Sequence, residues 1–372
     1  MEEEIDYEAV ASTTEIVDIT SCEINQKILR RLKRNMHMGP EFNKLCIRDH
    51  DIISHTRYRT YIPKDGEGDM GWLGYFLGEN KTLQELHLTC TDTNNFPDIL
   101  PFCKGLGRNE WIRKMIFEGF DLMDGQVFPL LNQFVVNLHT LSLGGSNIDD
   151  ESIEVLTHAL SQGQVQELCI KNNPFITAHG WKELSTLLEM PDSNLEKLII
   201  SSNNIRPIIF ANALRGNCKL KKLYLYGRSF VKSEWACFSN LLCDTSSVNN
   251  TYLSNHTLRV LVVSGREFPD DVKFFLELNN KHFDKDQIAM RKILLHHSEF
   301  NVQPLFEWEL KVLPLLISWF AKAKSFDNTL EEDELNRRKL SSIYDFVREM
   351  PMLYVDPCTK QGIGQSSCCT IL

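Results

Sequence analysis

The sequence predicts an α/β solenoid, with parallel strands lining a concave face, helices outside and helical caps at both ends. Three observations predict it. A six-residue pattern (apolar, two variable, apolar, one variable, apolar) recurs along the chain. From Leu83 to Leu220 its successive starts lie 29, 26, 27, 30 and 25 residues apart. After it come stretches whose apolar residues fall at helical spacing, as Ile153, Val155, Leu156, Ala159 and Leu160 do. One such unit cannot bury both its strand and its helix, so the units must stack to close a core.

From the N-terminus, residues 1–22 open with MEEEIDYEAV and are expected to form a disordered acidic segment. No basic region followed by an apolar one is present, which excludes a secretory leader in this stretch. Thr20-Ser-Cys-Glu23 has the form of a capping box. Ile24, Ile28, Leu29 and Leu32 then share one helical face, so a capping helix is expected over Glu23–Arg34. Arg30, Arg31, Lys33 and Arg34 fall mostly on its solvated outer side. Residues 23–82 would hold this helix and an irregular first repeat, with a degenerate hexad at Phe42–Ile47 and a polar surface turn over Gly66–Gly71.

Residues 83–283 carry the regular array, with hexads starting at Leu83, Ile112, Leu138, Val165, Leu195, Leu220 and Leu258. The fourth and sixth positions alternate along a short strand and point into the core. The third, fifth and seventh face the hollow. Three places beyond the hexad an Asn can satisfy the backbone of the turn: Asn173 and Asn203 stand there, with Ser146 as a substitute. Two places further an apolar residue completes the turn, namely Leu122, Ile148, Phe175, Ile205, Phe230 or Phe268. The steps into Leu83 and Leu258 are longer, 41 and 38 residues, so insertions sit there.

Residues 284–355 read as a helical cap of three segments, 284–300, 304–322 and 330–350. The apolar run at 304–320 is interrupted by Glu307, Glu309, Lys311 and Pro314, which argues against a membrane span. Residues 356–372 form a polar, flexible tail ending in Cys369-Thr-Ile-Leu372. This is a C-a-a-X pattern with Leu last, the geranylgeranylated form, making Cys369 a candidate prenylation site and Cys368 a candidate palmitoyl site. A single lipid gives only reversible membrane binding.

Composition narrows the function. The chain is 42% hydrophobic and 24% charged with a formal net charge of −10, which supports a packed core and excludes charge-driven binding to nucleic acid. Eleven cysteines, an odd number without a CxxC pair, fit reduced thiols and a cytoplasmic location. The sequons at Asn80, Asn249 and Asn255 are then coincidental. Nucleophile-elbow, phosphate-loop, zinc-protease and dinucleotide motifs are absent from the sequence. His282, His296 and His297 lack a carboxylate or Cys at ligand spacing, so neither metal, cofactor nor catalytic residue is expected.

Units such as LSLGGSNIDDESIEVLTHALSQG resemble the ribonuclease-inhibitor type of leucine-rich-repeat protein, over about residues 83 to 268. Trp72 to Leu86, Ser233 to Leu261 and the segments MRKILLHHSEF and ELKVLPLLISWFAKA are similar to the large diatom set of such proteins. The resemblance implies a horseshoe and no particular activity. The expected function is a non-enzymatic, monomeric protein-binding scaffold, peripheral on the cytoplasmic face of a membrane if the tail is lipidated. Lys171, Lys197, Lys222, Tyr224 and Tyr226 form a basic and aromatic cluster facing the hollow, suited to an acidic protein segment. The alternative is a GTPase-activating regulator of a small GTPase, similar in repeat type but commonly acidic at the C-terminus, as this tail is not.

Overall fold

The computed structural model describes residues 5–36, 43–48, 59–63, 69–90, 99–120, 122, 130, 133, 135–201, 205–227, 229–265, 268–281, 285–297, 334 and 336–341. The chain divides into two compact units, residues 1–241 with 257–280, and residues 242–256 with the chain from 281 onward. The 38-residue step before Leu258 therefore hands part of its insertion to the second unit.

The first unit is α/β. Its described residues form one open, all-parallel sheet of nine strands that alternate with helices. The strands are β1 (Lys44–Arg48), β2 (Arg59–Tyr61), β3 (Glu85–Thr89), β4 (Lys114–Glu118), β5 (Thr140–Gly144), β6 (Glu167–Lys171), β7 (Lys197–Ser201), β8 (Lys222–Tyr226) and β9 (Val260–Val263). Apart from β2 and the shorter β9, each strand occupies positions three to seven of a hexad. The spatial order is β2-β1-β3-β4-β5-β6-β7-β8-β9. Only β2, which no hexad marks, breaks sequential order by pairing on the far side of β1. Successive strands are in phase: Leu86, Met115, Leu141, Leu168, Leu198, Leu223 and Leu261 are register partners. All seven are buried, so one face of the sheet is a continuous apolar layer.

The helices of this unit include α1 (Tyr7–Val10), α2 (Ile16–Ile19), α3 (Glu23–Lys33), α4 (Asp69–Glu79), α5 (Leu100–Leu106), α6 (Asp150–Gln162), α7 (Ala178–Glu189), α8 (Pro207–Ala213), α9 (Lys232–Leu242, its last residue in the second unit) and α11 (Asp270–Asn279). Asp149 caps α6 through the Ser152 N–H, and Thr177 caps α7 through the His179 N–H. Trp181, Phe102 and Phe210 are fully buried. Helices α4 and α5 approach closely because glycines line their contact. A Cβ at Gly74 would run into the Phe102 carbonyl, and one at Gly78 into that of Gly105.

Two asparagine devices close the turns. Asn173 is fully buried and faces the preceding repeat. Its Nδ2 donates to the Leu143 carbonyl (2.8 Å) and its Oδ1 accepts from the N–H groups of Ser146 (2.9 Å) and Ile148 (3.2 Å). The second device precedes the strand, three residues before the first hexad position. Asn109 Oδ1 accepts from the Trp111 and Ile112 N–H groups, both at 2.8 Å, while its Nδ2 donates to the Leu77 and Asn80 carbonyls. Asn80 and Asn217 accept equivalent bonds from Leu83 and Leu220. Directly after the seventh position the backbone turns left-handed, at Gly119, Gly145, Asn172, Gly227 and Gly265.

Several expectations are corrected. Within residues 1–22, expected to be disordered, α1 and α2 form and Ile16 and Ile19 are buried. Two apolar residues three apart give even this short acidic stretch a face to pack. The capping box does not form: Cys22 is the N-cap of α3, and Thr20 Oγ1 accepts from the Cys22 N–H instead. Ile24 is 54% exposed, and the fourth buried position of α3 is Asn25, whose side chain bonds both the N–H and the carbonyl of Ile62. Asp69, Met70 and Gly71 belong to α4, with Met70 buried, not to a polar surface turn. Phe175 is 49% exposed, and the turn is closed by its buried neighbour Ile176.

The second unit contains α10 (Val248–Tyr252) and α12 (Lys285–His296). Thr251 of α10 and His297, just past α12, are hydrogen-bonded at 2.9 Å. Residues 336–341 are helical, and Glu334 pairs with Arg337 and Arg338. The expected helix at 304–322 and the tail with Cys368 and Cys369 lie outside the described residues, as do Asn203 and His282. Among the described residues no helix is long and apolar enough to cross a membrane.

Candidate functional site: the open face of the sheet

Alternation buries the even hexad positions and sets the odd ones on the opposite face, which is open except on β1 and β5, where Cys46, Ser142 and Gly144 are buried as well. In-phase register turns these into three columns across the strands. The first column runs Lys44, Glu85, Lys114, Thr140, Glu167, Lys197, Lys222, Val260. The middle column runs Cys46, His87, Ile116, Ser142, Cys169, Ile199, Tyr224, Val262. The third contains Arg48, Thr89, Glu118, Gly144, Lys171, Ser201 and Tyr226. On these strands the face carries six Lys or Arg against three Glu, whereas the chain as a whole is at −10. A net positive strip on an acidic protein is a directional electrostatic feature.

All five residues of the expected cluster stand on this face, on the neighbouring strands β6, β7 and β8. Their charges are not equally available. Lys197 pairs with Glu167 on the adjacent strand at 3.1 Å. Lys171 reaches past β5 to Glu118 on β4 at 3.4 Å. It can do so because Gly144 on β5 has no side chain; a Cβ there would lie 3.0 Å from Lys171 Cε. Lys114 and Glu85 form a third tie between strands at 3.6 Å. Lys222 makes no ion pair among the described residues. It is exposed, as is Tyr226 on the same strand, and the rings of Tyr224 and Tyr226 sit 6.2 Å apart. Ile199, Val260 and Val262, all half-buried, flank this strand.

The other end of the face differs. Cys46 and His87 are register partners. Burial, followed by the nearby Lys44 and Lys114, pushes His87 down to about 4, and burial pushes the Cys46 thiol up. Near pH 7 the imidazole is therefore neutral and the sulfur protonated. The pair does not form the thiolate–imidazolium that nucleophilic catalysis needs. At 3.6 Å the His87 Nε2 to Glu85 contact is too long for a hydrogen bond. Among the described residues no group of three or more His, Cys, Asp or Glu is placed to hold a metal ion.

Sequence reasoning identified the columns and missed the ion pairs within them. The missing signal was available: parallel register places Glu167 beside Lys197, and the smallest residue of the third column, Gly144, lies between Glu118 and Lys171. No protein-family model matches the chain, and no curated protein matches it.

Proposed function

We propose that this protein is a non-enzymatic binding scaffold of the leucine-rich-repeat kind, which holds a partner protein on the open face of its sheet. The observation that carries this is the β8 surface, where Lys222, Tyr224 and Tyr226 stand beside Ile199, Val260 and Val262. Tyrosines supply contact area with a polar tip, and an apolar centre with a charged margin is how recognition patches are built. The partner contributes an acidic segment, which Lys222 meets first. Lys171 and Lys197 can then exchange their glutamates for it, because half-exposed ion pairs contribute only about 0–1 kcal/mol. In this reading the in-phase hexads form the hollow of a horseshoe.

The test is affinity capture with wild type, with Lys222→Glu plus Tyr224→Ala, and with Glu151→Lys on the outer helix α6 as control. Partners lost only from the double variant support the reading. The same partners on all three proteins would remove the open face as the binding site.

A further inference from the structure

Helices α6 and α7 stand side by side in the first unit and leave a cavity of about 440 Å³ between them. That volume lies within the range of small-ligand sites, about 300–1,000 Å³. Glu154, Val155, Thr157 and His158 line it from α6, Glu183 lines it from α7, and Met190 lines it from the C-cap of α7. Two of these side chains are carboxylates from different helices, and neither is tied to a cation among the described residues. Lys182, the cation next to Glu183, is exposed and does not line the cavity. An anion entering here meets two like charges, whereas a cation meets two opposite ones.

Thr157 supplies an independent observation. It is 3% exposed, and its Oγ1 makes no hydrogen bond among the described residues. Neighbouring hydroxyls are satisfied locally. Ser161 on α6, and Ser185 and Thr186 on α7, each donate to the carbonyl three residues back at 2.7 Å. Thr157 leaves that bond unmade. A buried hydroxyl without a partner calls for one, and this one belongs to a wall of the cavity.

We propose that the cavity between α6 and α7 receives an arginine side chain from a partner protein. The guanidinium lies between the Glu154 and Glu183 carboxylates, donates to both, and donates a further N–H to Thr157 Oγ1. Val155 and the Met190 thioether cover its methylene stem. His158, exposed at the rim, offers a ring face on which the guanidinium plane can stack. The acceptors sit on two helices, and packed helix axes lie about 8–10 Å apart. Five donors in a planar fork span them where an ammonium, a compact point charge, does not. This surface therefore takes the opposite charge class from the one proposed for the open face. The two sites lie on different elements, and neither reading rests on the other.

The experiment is methyl NMR of the full chain with labelled threonine and methionine methyl groups, at low ionic strength, with n-butylguanidinium as the probe. n-Butylammonium and uncharged n-butylurea are titrated in parallel, and Thr157→Val and Met190→Leu identify the resonances. In wild type, the Thr157 and Met190 methyls should shift saturably with n-butylguanidinium, at the millimolar Kd expected of so small a ligand. n-Butylammonium should bind several-fold more weakly, and n-butylurea should give no saturable shift. Glu154→Gln plus Glu183→Gln should weaken the guanidinium by at least about tenfold, because two charge-assisted bonds are lost. Thr157→Val, which keeps the shape of the side chain, should weaken it by about two- to tenfold at the Met190 methyl. The absence of a saturable guanidinium shift in wild type overturns the proposal, and that measurement depends on no variant folding. Equally tight binding of n-butylammonium or n-butylurea also overturns it. So does guanidinium binding that survives unchanged in the double glutamine variant or in Thr157→Val, the latter being the result expected of a hydroxyl with a structural role alone.

Discussion

Lys171 and Asn173 stand two residues apart and serve opposite sides of one repeat. Lys171 lies half-exposed on the open face, tied by an ion pair that water weakens. Asn173 is fully buried and makes hydrogen bonds back to the preceding unit. The contrast separates polar groups that hold neighbouring units together from charged groups that remain in reach of water. Polar groups inside are costly to leave unpaired, whereas charged groups on the open face can change partners at little cost. Substitutions on the two sides should therefore separate cleanly.

The largest effect is expected on the buried side. Asn173→Ala would orphan the Ser146 and Ile148 N–H groups and the Leu143 carbonyl, a loss of about 2–4 kcal/mol measured by urea unfolding. A loss below about 0.5 kcal/mol would mean that water can replace the asparagine. Next is Gly74→Ala, which forces a methyl group into the Phe102 backbone and should cost about 1–3 kcal/mol by the same measurement.

Acid comes third and also separates regions. His87 and His256 have folded values lowered to about 4 and about 3 from 6.5. The unfolded chain therefore binds protons first as pH falls. Stability from these groups is complete above about pH 6.5 and is lost as pH drops toward 4 for the first unit and 3 for the second. His87→Gln should flatten the first of these losses in a pH series of thermal melts. The smallest change is Lys197→Ala, which should leave stability within about 0.5 kcal/mol of wild type. A larger loss would place structural weight on the open face and undo the separation.

The strands were legible because period-two alternation and in-phase spacing are local properties: the hexad starting at Leu195 gives Lys197–Ser201 directly. Asn173 was legible for the same reason. The asparagines before the strands were missed, although Asn80, Asn109, Asn217 and Asn255 each stand three residues ahead of a hexad. Strand β2 has only three residues and no hexad, so nothing local announces its pairing with β1. Asn25 was masked by its neighbour Ile24, because hydropathy cannot reveal that a polar side chain will find both backbone groups of Ile62. The candidate site was half legible. Its residues followed from alternation, but the cancellation of Lys171 by Glu118 needs a side chain to pass a strand.

That passage has a consequence for how the open face could be tuned. The aliphatic stem of Lys171 rests where position 144 has only a hydrogen. Adding one methyl group at 144 would press on that stem at 3.0 Å and loosen the ammonium's hold on Glu118. The protein's net charge would stay the same while one of its cations became easier to recruit. The residue that steers this cation is thus a neighbour with no charge and no side chain.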